Sequence, residues 1–173
     1  SIDLCVYDNP TTTHFEFSDE LHGRIAELPN VRSIKIPGVP EVLEEAKARV
    51  KRLRAMIPSH VTIGVSGDAT GATGLNAGCD VWYSVIGGFF PNTTLAIARA
   101  ALSGNIKEST RLSQRLQPIW DLCKQNGGSL RVMATAAELQ HLIKAPSLPL
   151  PLRTLDGPAR KRLAALIDEL DLS

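Results

Sequence analysis

The chain has 173 residues, 43% hydrophobic and 21% charged, which is the composition of a globular protein with a substantial core. Its net charge is +1 and no face or tail concentrates Lys or Arg, so nucleic acid is excluded as an expected partner, because neutralising phosphates takes a basic stripe. No apolar run approaches the ~20 residues of a membrane span.

The first predicted strand is Ile2 to Tyr7, whose residues alternate. Ile2, Leu4 and Val6 face one way, and Asp3, Cys5 and Tyr7 the other. Asn9-Pro10 stops it. A helix from Phe17 to Leu28 follows, with Ser18 as a candidate N-cap and Leu21, Ile25 and Leu28 as its apolar stripe. Val31 to Ile36 is the second strand, cut off by Pro37-Gly38. Val42 to Met56 reads as an amphipathic helix whose mixed charges form a solvated face. Val61 to Val65 is the third strand and leaves through Ser66-Gly67-Asp68. A short Gly-rich helix over Gly71 to Ala77 leads to a fourth strand, Val81 to Ile86, and a helix from about Thr93 to Leu102. Beyond Gly104 the pattern turns helical: Ile106 to Lys124, Ala136 to Ile143 and Ala159 to Leu170, with a stiff Pro-rich linker over Ala145 to Leu152.

Successive strand–helix units imply parallel strands with crossover helices. Strand polarity favours a barrel wall over an open doubly wound sheet, whose strands would be almost continuously apolar. One face here carries Asp3, Cys5 and Tyr7, then Ser33 and Lys35, then Thr62, Gly64 and Ser66. Such a face suits a polar interior feeding a site at the C-terminal mouth of a (β/α)8 barrel. Neither GxGxxG nor a P-loop is present.

Lys35 lies late in the second strand on that inward face. Burying an unpartnered ammonium is costly, which favours the neutral amine that attack on a ketone requires. The strand alone leaves open the alternative of a lysine snorkelling to solvent. Tyr7 ends the preceding strand on the same face. Neighbouring strands lie about 4.8 Å apart, so the phenol and the amine can meet over one substrate and the phenol can relay a proton. Cys5, Cys79 and Cys123 are odd in number and scattered, which makes a reduced, cytoplasmic setting the expectation. His14, His22, His60 and His141 show no ligand spacing, so no metal is expected.

Together these segments resemble the dihydrodipicolinate synthase and N-acetylneuraminate lyase family of class I Schiff-base aldolases. Tyr7-Asp8-Asn9-Pro10 is similar to its Tyr-Asn-x-Pro segment, and Val31-Arg32-Ser33-Ile34-Lys35 to its Schiff-base lysine strand. Val65-Ser66-Gly67-Asp68 resembles the turn after the seventh strand. Ala77-Gly78-Cys79-Asp80 through Ser84-Val85 and Pro91 resembles the eighth strand and its exit. Gly104-Asn105, Leu116-Gln117-Pro118 and Leu148 to Leu152 are similar to the C-terminal helical extension. The resemblance implies strands five to eight of a TIM barrel over residues 1–104 and a helical extension over 105–173. It implies Lys35 as the imine-forming nucleophile and Tyr7 as the proton relay. Substrate-binding positions fall at Thr12, Gly67, Tyr83 and Ser84, with the backbone around Gly67 and Tyr83 lining the imine pocket.

The implied activity is that of a lyase acting on pyruvate or a related 2-oxo acid through an enamine, with no cofactor beyond the lysine imine. Departures from the family pattern open alternatives. Thr12 stands where the synthases place an arginine, and Ala69 and Thr70 where the sialic acid lyases place an acidic pair. A hydratase-aldolase, a sugar-acid dehydratase and an inactive relative with a binding role are the other readings. A complete barrel needs ~250 residues, so the N-terminal half-barrel, with its carboxylate-binding loop, is expected to lie outside this chain. A homo-oligomer is the expected assembly.

Overall fold

The computed structural model describes residues 2–173, which form two compact units. One comprises the chain up to Ser84 together with Ala100–Ile106. The other comprises Val85–Arg99 and Lys107–Ser173.

In the first unit β1 (Leu4–Tyr7), β2 (Val31–Ile36), β3 (Thr62–Val65) and β4 (Val81–Trp82) form one parallel sheet, paired in chain order. Between them run α1 (Pro10–Thr13), α2 (Asp19–Ala26), α3 (Leu43–Met56) and α4 (Gly71–Asn76). Order without reversal is the singly wound pattern of a barrel wall, whereas a doubly wound sheet reverses at a switch point. The helix-facing side of the sheet is apolar. Ile34, Ile36, Ile63 and Val65 join Ala46, Val50 and Leu53 of α3 in a core from which water is nearly excluded. α4 comes close enough that a Cβ on Gly74 would lie 2.6 Å from Val65 Cγ1 and one on Gly71 2.3 Å from Trp82 Cε2. Val65 and Trp82, paired across β3 and β4, therefore face the helices.

β2 matches its expected bounds because Pro29-Asn30 and Pro37-Gly38 punctuate both ends. β1 and β4 are shorter than expected. β4 stops at Trp82, although Tyr83 N–H still donates to Val65 O at 2.9 Å.

α2 begins as expected, with the Ser18 hydroxyl accepting from Leu21 N–H at 3.2 Å. Its buried face is a correction: His22, Gly23 and Ala26 are enclosed, and Leu28 is exposed. Gly23 faces α3 so closely that a Cβ there would meet Met56 O at 3.0 Å. Large aliphatic side chains cannot occupy that seam.

His22, wholly buried, has Nδ1 3.1 Å from Ser18 O and Nε2 3.4 Å from Oδ2 of Asp8, which is itself only 2% exposed. Burial lowers the His22 pKa below the ordinary 6.5, and the Asp8 carboxylate only partly offsets this. The unfolded chain therefore binds more protons than the folded one just below that value, so stability rises with pH there and is lost as pH falls through the depressed pKa. Melting temperature measured from pH 7 downward is expected to decline over this window in the native chain. His22→Gln, which cannot titrate, is expected to flatten that part of the profile.

β1 and β4 are the sheet's two edges among the described residues. Leu4 and Tyr7 on β1 are 47% and 43% exposed. Parallel edge strands with free N–H and C=O groups beside apolar side chains drive association. Light scattering on the isolated 173-residue chain is expected to show species larger than a monomer; a stable monomer at micromolar concentration would count against an open wall.

The second unit is helical. α5 (Pro91–Leu102) is shared between the units and is followed by α6 (Ile106–Arg115), α7 (Gln117–Gln125), α8 (Ser129–Leu139) and α9 (Gly157–Glu169). The single helix expected over Ile106 to Lys124 is two helices, broken at Leu116 with Pro118 in the first turn of α7. α8 starts directly after Gly127 and Gly128, both at positive φ, and ends before the residues expected to close it. Leu116, Ile119, Val132, Met133, Ala136, Leu163 and Leu166 are its buried apolar centre. Glu138, 3% exposed, pairs with Arg160 and accepts from Ser147 N–H and Oγ at 3.0 and 2.9 Å, which fastens the Pro-rich segment to α8. Burial pushes this carboxyl up, but the bonds from Arg160 and Ser147 outweigh it and hold it below the ordinary value.

Candidate active site

The inward face of the sheet collects the polar side chains. Register places Tyr7 beside Lys35, Lys35 beside Gly64, and Gly64 beside Val81. One level toward the strand N-termini, Cys5 lies beside Ser33, and Ser33 beside Thr62. Period-two alternation turns all of these to one side, away from the helices.

Lys35 is half-buried, and its Nζ stands 3.8 Å from the centroid of the Tyr7 ring and 5.5 Å from that of the Tyr83 ring. The amine thus sits at two aromatic rings, one on the neighbouring strand and one reaching in from the end of β4. The tips of β1 and β2 are tied by Asp8 N–H donating to Lys35 O at 2.9 Å, so Tyr7 and Lys35 are held by the same ladder. No acidic partner approaches the amine in any ion pair seen among the described residues.

The Tyr83 hydroxyl lies 2.8 Å from Ser33 Oγ and accepts from Cys5 Sγ at 3.3 Å, and Thr62 Oγ1 donates to Ser33 Oγ at 2.8 Å. Burial raises the Tyr83 pKa above the ordinary phenol value, and the bond to Cys5 adds to this. The phenol is therefore a neutral hydrogen-bonding group at physiological pH.

The other expected substrate positions lie in the loops that leave the strands. Thr12 is exposed in α1, and its hydroxyl accepts from Asn9 Nδ2 at 3.1 Å. Gly67 takes φ +83°, a conformation that favours glycine, as the chain turns from β3 into a 3-10 turn beside Gly38. Ser84 is half-buried immediately after Tyr83. Lys35, Tyr7 and Tyr83 are thus brought together, while Thr12 and Gly67 have local partners. The roles of Cys5, Ser33 and Thr62 were not assigned from the sequence. Alternation put them on the inward face, but only the long-range reach of Tyr83 joins them. Among the described residues no group of three or more His, Cys, Asp or Glu side chains could hold a metal ion. No helix there is long and apolar enough to cross a membrane.

A parallel β/α wall in chain order with a lysine and a tyrosine at adjacent strand tips defines a class, the β/α-barrel proteins with an inward lysine. The model of the dihydrodipicolinate synthetase family matches residues 1–170, and the chain belongs to that family. A 4-hydroxy-tetrahydrodipicolinate synthase of an Exiguobacterium species is 26% identical over 152 residues, covering 86% of this chain and 49% of that protein. The crystal structure of a dihydrodipicolinate synthase from Agrobacterium tumefaciens is 39% identical with a TM-score of 0.89, over 97% of this chain and 55% of that one. The fold is also that of a dihydrodipicolinate synthase from Acinetobacter baumannii complexed with pyruvate, at 20% identity and a TM-score of 0.81, over 99% of this chain and 56% of that one. The chain spans about half the length of these relatives.

Proposed function

We propose that this chain is the C-terminal half, strands five to eight with a helical extension over 105–173, of a barrel lyase that captures pyruvate or a related 2-oxo acid as an imine on Lys35. The observation that carries the reading is the half-buried Lys35 amine 3.8 Å from the Tyr7 ring on the adjacent strand. Family membership supports it.

The Lys35 amine adds to the ketone carbon and forms a carbinolamine. Tyr7 returns a proton to the departing hydroxyl, water leaves, and the cationic imine remains. Loss of a proton from carbon 3 to the phenolate this leaves on Tyr7, or cleavage of the bond beyond it, places an electron pair on the enamine. Reversal of that step joins carbon 3 to an aldehyde. The carboxylate of the oxo acid is bound by the other half of the barrel, which closes against β1 and β4. No metal enters these steps. The protein acts in the cytoplasm as a homo-oligomer in this reading.

The test is reduction of the full-length enzyme by borohydride in the presence of pyruvate, followed by peptide mapping. An adduct on Lys35 supports the proposal; no adduct with any 2-oxo acid sinks it. Thr12 adds a further expectation. A hydroxyl held by Asn9 cannot supply the charged hydrogen bond of an arginine, worth roughly 1.5–3 kcal/mol. Condensation of pyruvate with aspartate semialdehyde is therefore expected to run about one to two decades below an arginine-bearing enzyme. Thr12→Arg is expected to recover part of the deficit, seen mainly in KM for the semialdehyde.

A further inference from the structure

We infer that the buried pair Asp8 and His22 is a positioning device, which holds the end of β1 so that Tyr7 stays at the Lys35 amine. This inference rests on Lys35 as the imine-forming residue and Tyr7 as its proton relay.

The two residues of the site are not held alike. β2 runs on past Lys35 to Ile36, whose carbonyl accepts from Ser66 N–H at 3.0 Å and from Ser66 Oγ at 2.8 Å. The lysine is thus fixed by bonds beyond its own position. Tyr7 is the last residue of β1, and the chain departs into α1 at Pro10. The bond from Asp8 N–H to Lys35 O, at 2.9 Å, is the last between these strands. Where the Tyr7 ring stands therefore depends on what holds Asp8.

The Asp8 side chain turns to the helix side, where it is 2% exposed and its Oδ2 lies 3.4 Å from Nε2 of the wholly buried His22. Burying a carboxylate is costly unless a polar group faces it, and an apolar side chain would cover that side of the tip without the cost. The partner is itself fixed. His22 Nδ1 lies 3.1 Å from Ser18 O, which also accepts from His22 N–H at 3.0 Å, and the Phe17 ring packs on the imidazole with centroids 5.3 Å apart. Ser18 caps α2, and Gly23 beside His22 seats that helix so closely that a Cβ there would meet Met56 O of α3 at 3.0 Å. Asp8 is therefore held at two points, its backbone on β2 and its carboxylate on a helix that is seated on α3. Tyr7, one residue before it, takes its place from both.

Single-turnover capture of pyruvate by the full-length enzyme, quenched with borohydride at successive times, is measured for Asp8→Ala, His22→Leu and His22→Gln. Each is made alone and together with Tyr7→Phe, and each is assayed well below its own melting temperature. Asp8→Ala and His22→Leu are expected to slow capture about 10- to 100-fold, the scale of a misplacement of about 1 Å in a reacting pair. His22→Gln keeps an N–H that can reach Asp8 and is expected to stay within about threefold of the parent. With Tyr7→Phe already present, Asp8→Ala is expected to cost no more than about twofold further, because no phenol is left to misplace. A role in stability alone would lower the melting temperature and leave the fold-loss the same in both backgrounds. Asp8→Ala leaves no unpaired carboxylate behind, so it carries the test if His22→Leu does not fold. Capture by Asp8→Ala within about twofold of the parent overturns the inference, as does an equal loss with and without the Tyr7 hydroxyl. A glutamine variant as slow as the leucine one also overturns it, since the contact with Asp8 would then not be what matters. If the parent captures no oxo acid at all, the imine reading fails and the positioning with it. Pyruvate capture that is indifferent to Asp8 removes the positioning alone.

Discussion

Lys35→Arg is expected to abolish the adduct that borohydride traps with pyruvate, with no residual labelling above that of the unreduced control. A guanidinium stays protonated at any pH the protein survives, so it offers no lone pair to a ketone carbon. Position and charge are otherwise retained. Lys35 Nζ stands 3.8 Å from the Tyr7 ring and 5.5 Å from the Tyr83 ring, and arginine also stacks on aromatic faces. The melting temperature of the variant is therefore expected to stay close to that of the parent, which separates lost chemistry from lost fold. Mass spectrometry of the intact chain with and without reductant reads the outcome. Lys47 and Lys51 on α3 act as internal controls, since Lys47 is committed to Glu44 at 2.9 Å and Lys51 is exposed. An adduct that persists in Lys35→Arg, or maps to α3, would remove Lys35 from the mechanism.

Much of the wall could be read from local sequence because the decisive signals are local. β2 is bracketed by Pro29-Asn30 and Pro37-Gly38, and alternation inside it places Ser33 and Lys35 on one face and Ile34 and Ile36 on the other. The pairing of Tyr7 with Lys35 followed from two strand ends in consecutive units, and the register is the one expected. The misplaced features depend on tertiary contacts. An apolar stripe of Leu21, Ile25 and Leu28 is expected on α2, but the close approach of Met56 at Gly23 excludes large side chains, and a histidine takes a buried position beside Asp8. Helical periodicity over Ile106 to Lys124 ran through Leu116, where the chain starts again with Pro118 near the N-terminus of α7. In the sequence Gly64 is only one residue of the inward face. Its meaning appears once Tyr83, 19 positions later, is seen lying across it.

Tyr7→Phe is expected to slow turnover by about 10²- to 10⁴-fold, the usual worth of a positioned acid–base group. The substitution is informative because it removes one atom and leaves the contact that orients the lysine. Lys35 Nζ lies over the Tyr7 ring face at 3.8 Å, and a phenylalanine ring offers the same face to the amine. β1 would keep its place, since its tip is held by Asp8 N–H to Lys35 O at 2.9 Å and not by the phenol. In the proposed mechanism, what is lost is the proton that reaches the departing hydroxyl when the carbinolamine collapses. Imine formation and its hydrolysis then both slow, while the final extent of borohydride trapping at long times remains near that of the parent. This separates Tyr7→Phe from Lys35→Arg, in which no adduct forms at any time. Single-turnover capture of pyruvate, followed by quenching with reductant at successive times, measures the rate directly. A capture rate within about threefold of the parent would assign the relay to another group. Tyr83, whose hydroxyl is engaged with Ser33 and Cys5 one level below the amine, would then be the next residue to replace.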